Sequence, residues 1–249
     1  MTNNLDDFDS DLISIVAHDL KTPVSAARGF LDLIEHSGPV NEMQLKFLER
    51  TRSSLSRMEK LIASLLDYAR ISSGVDLDRT VVDIHSLVQE AFELFKDIAA
   101  QHKISIHLQD DPKSIFALVD RRLLGHVISN LLSNAIKYNN ESGEVWIAVS
   151  EQGEMVRVEV RDNGIGINDY AQERVFDRFF RAVKKNKNGK IEGSGLGLAI
   201  CQSIIDLHGG RIWVESTLDE GSKFSFVVPI QANATTTESD QEPPLPSDQ

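Results

Sequence analysis

The chain has a single cysteine, Cys201, in 249 residues. An intrachain disulfide is therefore excluded, and this usage fits a reducing compartment. No apolar run approaches the roughly 18 residues that a membrane-spanning helix needs. The amino terminus, Met1-Thr-Asn-Asn-Leu-Asp-Asp7, is acidic where a signal peptide is basic and then apolar. The expectation is a cytoplasmic chain with no direct membrane insertion. Positive charge is short as well: 26 Lys and Arg stand against 38 Asp and Glu, a formal net charge of -12. That balance argues against a general basic surface for nucleic acid. Two phosphate-binding glycine patterns are also missing. There is no P-loop, which requires Gly-Lys-Ser/Thr, and no strand in a βαβ context leads into a Rossmann-type glycine turn. Internal repeats are absent.

What is present, 41% hydrophobic and 26% charged residues, is the make-up of a soluble globular protein. The length allows one large domain or two small ones, each with its own core. Ile13, Val16, Leu20, Pro23, Ala27, Phe30 and Ile34 recur at alternating steps of three and four, the period of a coiled-coil seam. They predict a first helix from about Asp9 to His36, with Asp7 to Asp11 suited to its positive end. Pro23, inside it, removes a backbone donor and is expected to kink the helix near His18. Ser37-Gly38-Pro39 reads as a tight connection. A second helix, roughly Glu42 to Ile71, repeats the spacing with Leu48, Thr51, Leu55, Met58, Ile62, Leu65 and Ala69. Two antiparallel helices cannot bury both seams on each other alone. Either two chains form a four-helix bundle, which is the expectation, or the hairpin packs on its own chain's second domain.

In that first helix stands the stretch Ser14-Ile-Val-Ala-His-Asp-Leu-Lys-Thr-Pro23. At about 100° per residue, His18 lies roughly 160° from Leu20 and faces away from the seam, with Thr22 within about 40° of it. An outward histidine beside a carboxylate, Asp19, and a threonine one turn on is a candidate phosphate acceptor. Taken alone, the histidine is more plainly read as an ordinary exposed one.

After Ser72-Ser73-Gly74 the pattern changes. Thr80 to Val82 reads as a strand, and Asp83 as the cap of a helix from His85 to Gln101. Lys103 to Leu108 and Ile115 to Val119 read as strands, and Asp120 caps an amphipathic helix carrying Leu123, Leu124, Val127, Ile128, Leu131, Leu132 and Ile136. Strands at Glu144 to Ser150 and Val156 to Asp162 are joined by Gln152-Gly153. A helix from Leu196 to Leu207 stops at Gly209-Gly210, and Arg211 to Glu215 with Lys223 to Val228 form a closing hairpin. From Gln231 the chain is rich in Thr, Ser, Pro and acid and is expected to be disordered.

Four clusters in this half point to one ligand. On the Asp120-capped helix, Asn130, Asn134, Lys137 and Tyr138 share a face: neutral oxygens for a hard cation such as Mg²⁺ and a charge for phosphate. Asp162-Asn163-Gly164-Ile165-Gly166 ends a strand, offering an acceptor for an amine such as adenine's, with glycines that let a ligand approach the backbone. Gly193-Ser194-Gly195-Leu196-Gly197 enters a helix whose positive end suits phosphate. Between them, a loop from Ile165 to Ser194 holds Arg178-Phe179-Phe180-Arg181 and then Lys184, Lys185, Lys187 and Lys190, basic charge suited to closing over a triphosphate. Each cluster alone has a plainer reading: a wet helix face, a glycine turn, a solvated loop.

Together they resemble the sensor histidine kinases of bacterial two-component systems, from about Asp9 to Pro229. His18 to Pro23 is similar to that family's H box, Asn130 to Tyr138 to its N box, and Asp162 to Gly166 to its first glycine box. Arg178 to Arg181 resembles its F box, Gly193 to Leu198 its second glycine box, and Leu207-His-Gly-Gly-Arg-Ile-Trp-Val-Glu-Ser216 its usual ending. The resemblance implies an α+β chain. A HisKA-type helical hairpin (9–74), forming a dimeric four-helix bundle, would follow a short extension (1–8). Then would come an α/β sandwich of the Bergerat or GHKL type (75–230), shared with DNA gyrase, a heat-shock chaperone family and the mismatch-repair ATPases, and a tail (231–249).

By the same carry-over the cofactors are ATP and Mg²⁺. Asn134 would hold the metal with Asn130 assisting, Lys137 and Arg181 would meet phosphates, Tyr138 would line the pocket and Asp162 would hold the adenine amino group. Gly164, Gly166, Arg178, Gly193, Gly195, Leu196 and Gly197 complete the implied nucleotide set. His18 would attack the γ-phosphate with Asp19 as orienting base, and the phosphoryl group would pass to an aspartate of a response-regulator receiver domain. Thr22 matches the position that aids dephosphorylation of that regulator. Asp19 departs from the commoner glutamate. No input domain precedes Asp9, so a catalytic fragment or a separate sensor protein is implied. An ATPase or serine kinase on the same nucleotide fold, and a scaffold without phosphotransfer, are the competing readings.

Overall fold

The computed structural model describes residues 3–72, 77–109, 114–182 and 195–230. Among the first 72 residues, the described side chains are those of 20–56, 58, 59, 62 and 66. The expected connection at Ser73-Gly74, the lysines from Lys184 to Lys190, Gly193 and the tail from Gln231 lie outside the described residues.

Two long helices come first, α1 (Asn3–His36) and α2 (Glu42–Ser72). α1 starts six residues before the expected Asp9. No proline or glycine stands ahead of that aspartate, and Leu5, Phe8 and Leu12 extend the helical spacing back toward Asn3. α1 also runs unbroken through Pro23. Before α2, Asn41 and Gln44 cap each other: each side-chain oxygen accepts the other's backbone N–H, at 2.9 and 2.8 Å. The helices are antiparallel, tied by Arg28 to Glu59 at 3.1 Å and by Arg52 to Asp32 and Glu35 at 2.7 and 2.9 Å. Exposed pairs of this kind are worth under about 1 kcal/mol each, so they set register more than stability.

On α2 the expected Leu48, Leu55 and Ile62 are buried, whereas on α1 the packed stripe keeps Ala27 of the expected seam and otherwise differs from it. Val24, Leu55 and Ile62 are buried with Ala27, Leu31 and Leu66 against them, whereas Leu20, Phe30 and Ile34 stay 45, 64 and 50% exposed. On α1 the spacing of three and four holds on an overlapping stripe centred about 50° away. α1 is apolar on both stripes, so periodicity alone does not say which one meets α2. α2 also lies against the last helix of the following unit.

That unit is a mixed sheet under helices. Its elements are β1 (Arg79–Asp83), α3 (Ile84–Gln101), β2 (Ser105–Gln109), β3 (Phe116–Asp120), α4 (Arg121–Lys137), β4 (Glu144–Gln152), β5 (Met155–Asp162), α5 (Asp169–Gln172), α6 (Gly197–Leu207), β6 (Arg211–Thr217) and β7 (Gly221–Pro229). Five strands run in the order β2-β4-β5-β7-β6, parallel only between β2 and β4; β1 and β3 form a separate antiparallel pair. Alternate residues Val145, Ile147, Val149, Val156, Val158, Val160, Phe224, Phe226 and Val228 point to one face and are buried with α3, α4 and α6. Leu124, Val127, Ile128 and Leu132 of α4 are fully buried, each stabilising the fold by about 1.5–3 kcal/mol. The thiol of Cys201, sealed in this core, is pushed up to about 12 by burial and is unreactive.

Both expected caps are present. Asp83 accepts from the His85 N–H at 3.1 Å, and Asp120 from the Leu123 N–H at 3.0 Å. A third polar contact joins α6 to α4. The buried His208 places Nδ1 2.7 Å from the Ile204 carbonyl, and its Nε2 accepts the backbone N–H of Asp120 at 2.9 Å. The ring is thus neutral with its proton on Nδ1, and burial holds its pKa below the usual value.

The short helix α5 breaks up what the sequence presents as a bare loop. Asn168 caps it, its side chain accepting from Ala171 N–H at 2.9 Å. Gln172 then pairs with the outer edge of β6: its Nε2 donates to Ser216 O at 2.9 Å and its Oε1 accepts from Ser216 N–H at 3.2 Å.

His208→Ala is expected to lose about 2–3 kcal/mol in urea unfolding, because it orphans a buried N–H. A histidine whose folded pKa is lowered gives stability that is full above its unfolded pKa, about 6.5, and lost as pH falls below it. The gap between wild type and variant should therefore narrow from pH 7.5 to pH 5.

Candidate active site

The helical period of α4 sorts its residues. Its leucines enter the core, and one turn over, Asn130, Asn134, Lys137 and Tyr138 line a cavity of about 210 Å³. The cavity lies between α4, the ends of β5 and β7, and the start of α6. Asn134 Nδ2 donates to Asn130 Oδ1 at 3.0 Å, so the expected asparagine pair is joined. Lys137 Nζ sits 4.7 Å from the centre of the Tyr138 ring, a cation–π contact at the rim.

Asp162 forms the polar floor. It is the last residue of β5 and is 7% exposed. Its Oδ1 accepts the Gly164 N–H at 2.9 Å. Burial pushes its pKa up to about 6, outweighing the Gly164 and Ser222 backbone bonds that pull it down. The walls are apolar, from Ile165, Ile167, Val175, Phe180 and Phe224. Ile165 and Phe180 fall within the sequence motifs, whereas spacing arguments do not reach Ile167, Val175 and Phe224, which the fold brings to the same cavity.

The glycines behave differently from one another. Gly166 lines the cavity at φ +64, yet a Cβ on it would lie 1.9 Å from the Thr217 carbonyl oxygen; one on Gly164 would lie 2.5 Å from the Tyr138 oxygen. The space each glycine leaves is filled by the protein's own backbone. Both glycines let the turn fold tightly around Asp162, and Gly166 at the same time lines the cavity. Gly195 (φ +73) and Gly197 both line the cavity. A Cβ on Gly195 would meet Phe179 at 2.7 Å, and one on Gly197 would meet the Asn130 amide at 2.6 Å. Leu196, expected among the ligand contacts, is 1% exposed and belongs to the core. No side chain caps the start of α6 beside it.

In the Arg178–Arg181 segment, Phe180 and Arg181 line the cavity, whereas Arg178 is exposed and is not among the lining residues. Phe179 takes a positive φ of 62 and its N–H donates to Gly195 O at 2.9 Å, joining the segment to the second glycine cluster. Arg174, absent from the expected set, places its guanidinium 4.6 Å from the Phe180 ring centre. His18 and Asp19 lie in α1, but their side chains are outside the described ones; Thr22 is exposed.

A family model described as a histidine kinase-, DNA gyrase B- and HSP90-like ATPase matches residues 119–232, and a His Kinase A (phospho-acceptor) domain model matches residues 9–74. The solved catalytic domain of the histidine kinase ThkA is 31% identical, with 61% of this chain covering 95% of it at a TM-score of 0.54. The chain belongs to the histidine kinase family. As for other histidine kinases, the adaptive-response sensory kinase SasA of Crocosphaera subtropica is 33% identical over 90% of this chain and 60% of its own length. Full-length ShkA, solved in complex with AMPPNP, superposes at a TM-score of 0.72 with 27% identity, covering 88% of this chain and 46% of that one. ThkA in complex with the response regulator TrrA gives 0.64 at 27% identity, over 89% and 61%. The chain spans less than two thirds of the length of SasA. Among the described residues, no helix is long and apolar enough to cross a membrane.

The raised pKa of Asp162 has a signed consequence. A carboxyl with its folded pKa near 6 and its unfolded pKa of 3.8 gives stability that is full below 3.8 and lost as pH rises through 6. Relative to wild type, Asp162→Asn should gain stability between pH 4 and pH 8, by up to about 3 kcal/mol, measured by urea unfolding at each pH.

Proposed function

We propose that the chain is the kinase core of a two-component sensor, binding ATP, phosphorylating His18 and passing the phosphoryl group to an aspartate of a response-regulator receiver domain. The observation that carries this is one cavity holding a buried carboxylate, an asparagine pair and two cations, Lys137 and Arg181. ThkA with TrrA and ShkA with AMPPNP support the partner and the nucleotide. Asp162, ionised above about pH 6, accepts the exocyclic amine of adenine, and the apolar walls take the ring's faces. Gly164 and Gly166 fix the turn that aims this carboxylate. Lys137 and Arg181 meet the phosphates, with the start of α6 at Gly195, Leu196 and Gly197 supplying its positive end. Gly193 and Arg178 complete the proposed nucleotide-binding set.

The neutral amide oxygens of Asn134 and Asn130 suit Mg²⁺, which takes few protein ligands and keeps waters and phosphate oxygens for the rest. Among the described residues, no cluster of His, Cys, Asp or Glu offers a different cage. When bound, the ion neutralises phosphate charge.

In the transfer itself, the unprotonated imidazole nitrogen of His18 attacks the γ-phosphorus in line. The new N–P bond forms as the bond to the bridging oxygen breaks, and ADP leaves. Asp19 accepts the proton of the other ring nitrogen, and positioning provides most of the acceleration. Thr22, exposed on the same helix, orders the water that hydrolyses the aspartyl phosphate of the regulator, releasing inorganic phosphate.

The domains are read as an extension at 1–8, a phosphotransfer hairpin at 9–74, a nucleotide domain at 75–230 and a tail at 231–249, working in a reducing, cytoplasmic setting. Leu20, Phe30 and Ile34, left exposed by the hairpin's own packing, form the seam for a second copy and complete a four-helix bundle. The input comes from a further domain or a separate sensor protein.

Incubation with γ-labelled ATP and Mg²⁺ should label the chain with acid-labile, base-stable phosphate, and His18→Gln should abolish it; full labelling of that variant would sink the assignment. Nucleotide affinity should fall at least tenfold from pH 7.5 to pH 5, as Asp162 protonates. Phe30→Glu should shift the chain from dimer to monomer in light scattering while its nucleotide affinity stays within twofold.

A further inference from the structure

The face of the five-stranded sheet turned away from the helices carries cations and both tryptophans of a chain whose net charge is -12. Trp213, in β6, lies between two guanidinium groups: Arg157 at 5.1 Å and Arg211 at 5.9 Å from the ring. Trp146 carries Arg161 at 5.4 Å and stacks on His107. The acids facing this surface are Glu159 against Arg157, Glu215 against Lys223 and Glu144 against His107. Around Trp213, Arg157 is paired with Glu159 and Arg211 lies against the indole, with Glu215 on the same strand and Glu151 and Glu154 at the turn beside the hollow. Met155, Val227 and Gln152 complete a shallow hollow there with Arg211 and Trp213.

The chain leaves the sheet at that corner. Register places Arg211 opposite Val227 and Met155 opposite Pro229. Val227 and Ile230 are three residues apart, so the exit lies about 10 Å from the hollow at 3.4 Å per residue. Beyond Lys223 there is no Lys or Arg. Residues 231–249 carry Glu238, Asp240, Glu242 and Asp248, followed or interleaved by Pro243-Pro244-Leu245-Pro246. Two chemistries therefore match: carboxylates for the arginines, and a proline run for an indole face, the pairing by which aromatic grooves take polyproline segments. Thirteen residue steps lead from Ile230 to Pro243, a reach of up to about 43 Å, so the span is not limiting.

We propose that residues 238–246 of the chain's own tail fold back onto the Trp213 face, with Glu238, Asp240 and Glu242 against Arg157 and Arg211 and the proline run over the indole and the hollow beside it. This clamp is independent of the phosphotransfer reading and would hold in a chain that binds no nucleotide.

The test is acrylamide quenching of Trp213 in the full-length chain carrying Trp146→Phe, which leaves one emitter. Reversing the tail charges with E238K, D240K and E242K should raise the quenching constant about twofold, and 0.5 M NaCl should do the same to the unreversed chain. Adding Arg211→Glu to the reversed tail should restore protection, an outcome that simple unfolding cannot produce. Equal quenching in all three chains overturns the proposal, as does protection that rises with protein concentration, which would place a second copy on the face.

Discussion

The rotation of α4 by about 100° per residue ties the core to the site. Leu124, Val127, Ile128, Leu131 and Leu132 fix one side of this helix against the sheet and its neighbours. With that side fixed, Asn130, Asn134, Lys137 and Tyr138 have no freedom to point elsewhere than into the cavity. The contacts at its ends serve the same purpose. Asp120 holds the first turn, and the His208 ring reaches from α6 to the Asp120 N–H. Because α6 also presents Gly197 against the Asn130 amide, the two helices that flank the cavity cannot shift independently.

The floor of the cavity works against the fold. Asp162 is ionised at neutral pH only at a cost set by its burial, and the turn through Gly164 and Gly166 is closed too tightly to let the carboxylate swing out to water. An acceptor kept dry and aimed is what recognition of an amine needs, since a buried acceptor rejects a ligand that lacks the matching donor. Under the proposed nucleotide reading, the charge is a liability to the empty domain and an asset to the loaded one.

The sequence carried most of this in its periodicities. Both aspartate caps, the glycine stop after α6, the alternating strands and the polar face of α4 could all be read from local spacing. The stripe on which α1 meets α2 could not. Both candidate stripes are apolar at the same spacing and share Ala27, and the choice of Val24 and Leu31 over Leu20, Phe30 and Ile34 is made by a partner helix, not by α1 itself. Gly164 and Gly166 were legible as special positions, but their part in the tight turn was not, because the atoms that need the room, Tyr138 O and Thr217 O, come from distant segments. The apolar lining from Val175 and Phe224, and the role of His208, likewise depend on contacts across 40 residues or more of chain. Asn168 was a readable signal for α5, an asparagine cap ahead of a short acidic turn.

Gln172 shows how little is needed to close the side of a sheet. An outer strand displays a row of backbone donors and acceptors that another extended chain can copy onto. Here a primary amide, which has the same donor and acceptor as a peptide unit, occupies both groups of Ser216. One side chain on a four-residue helix stands in for a neighbouring strand, and a growing edge becomes a finished one at the residue where β6 turns toward the cavity.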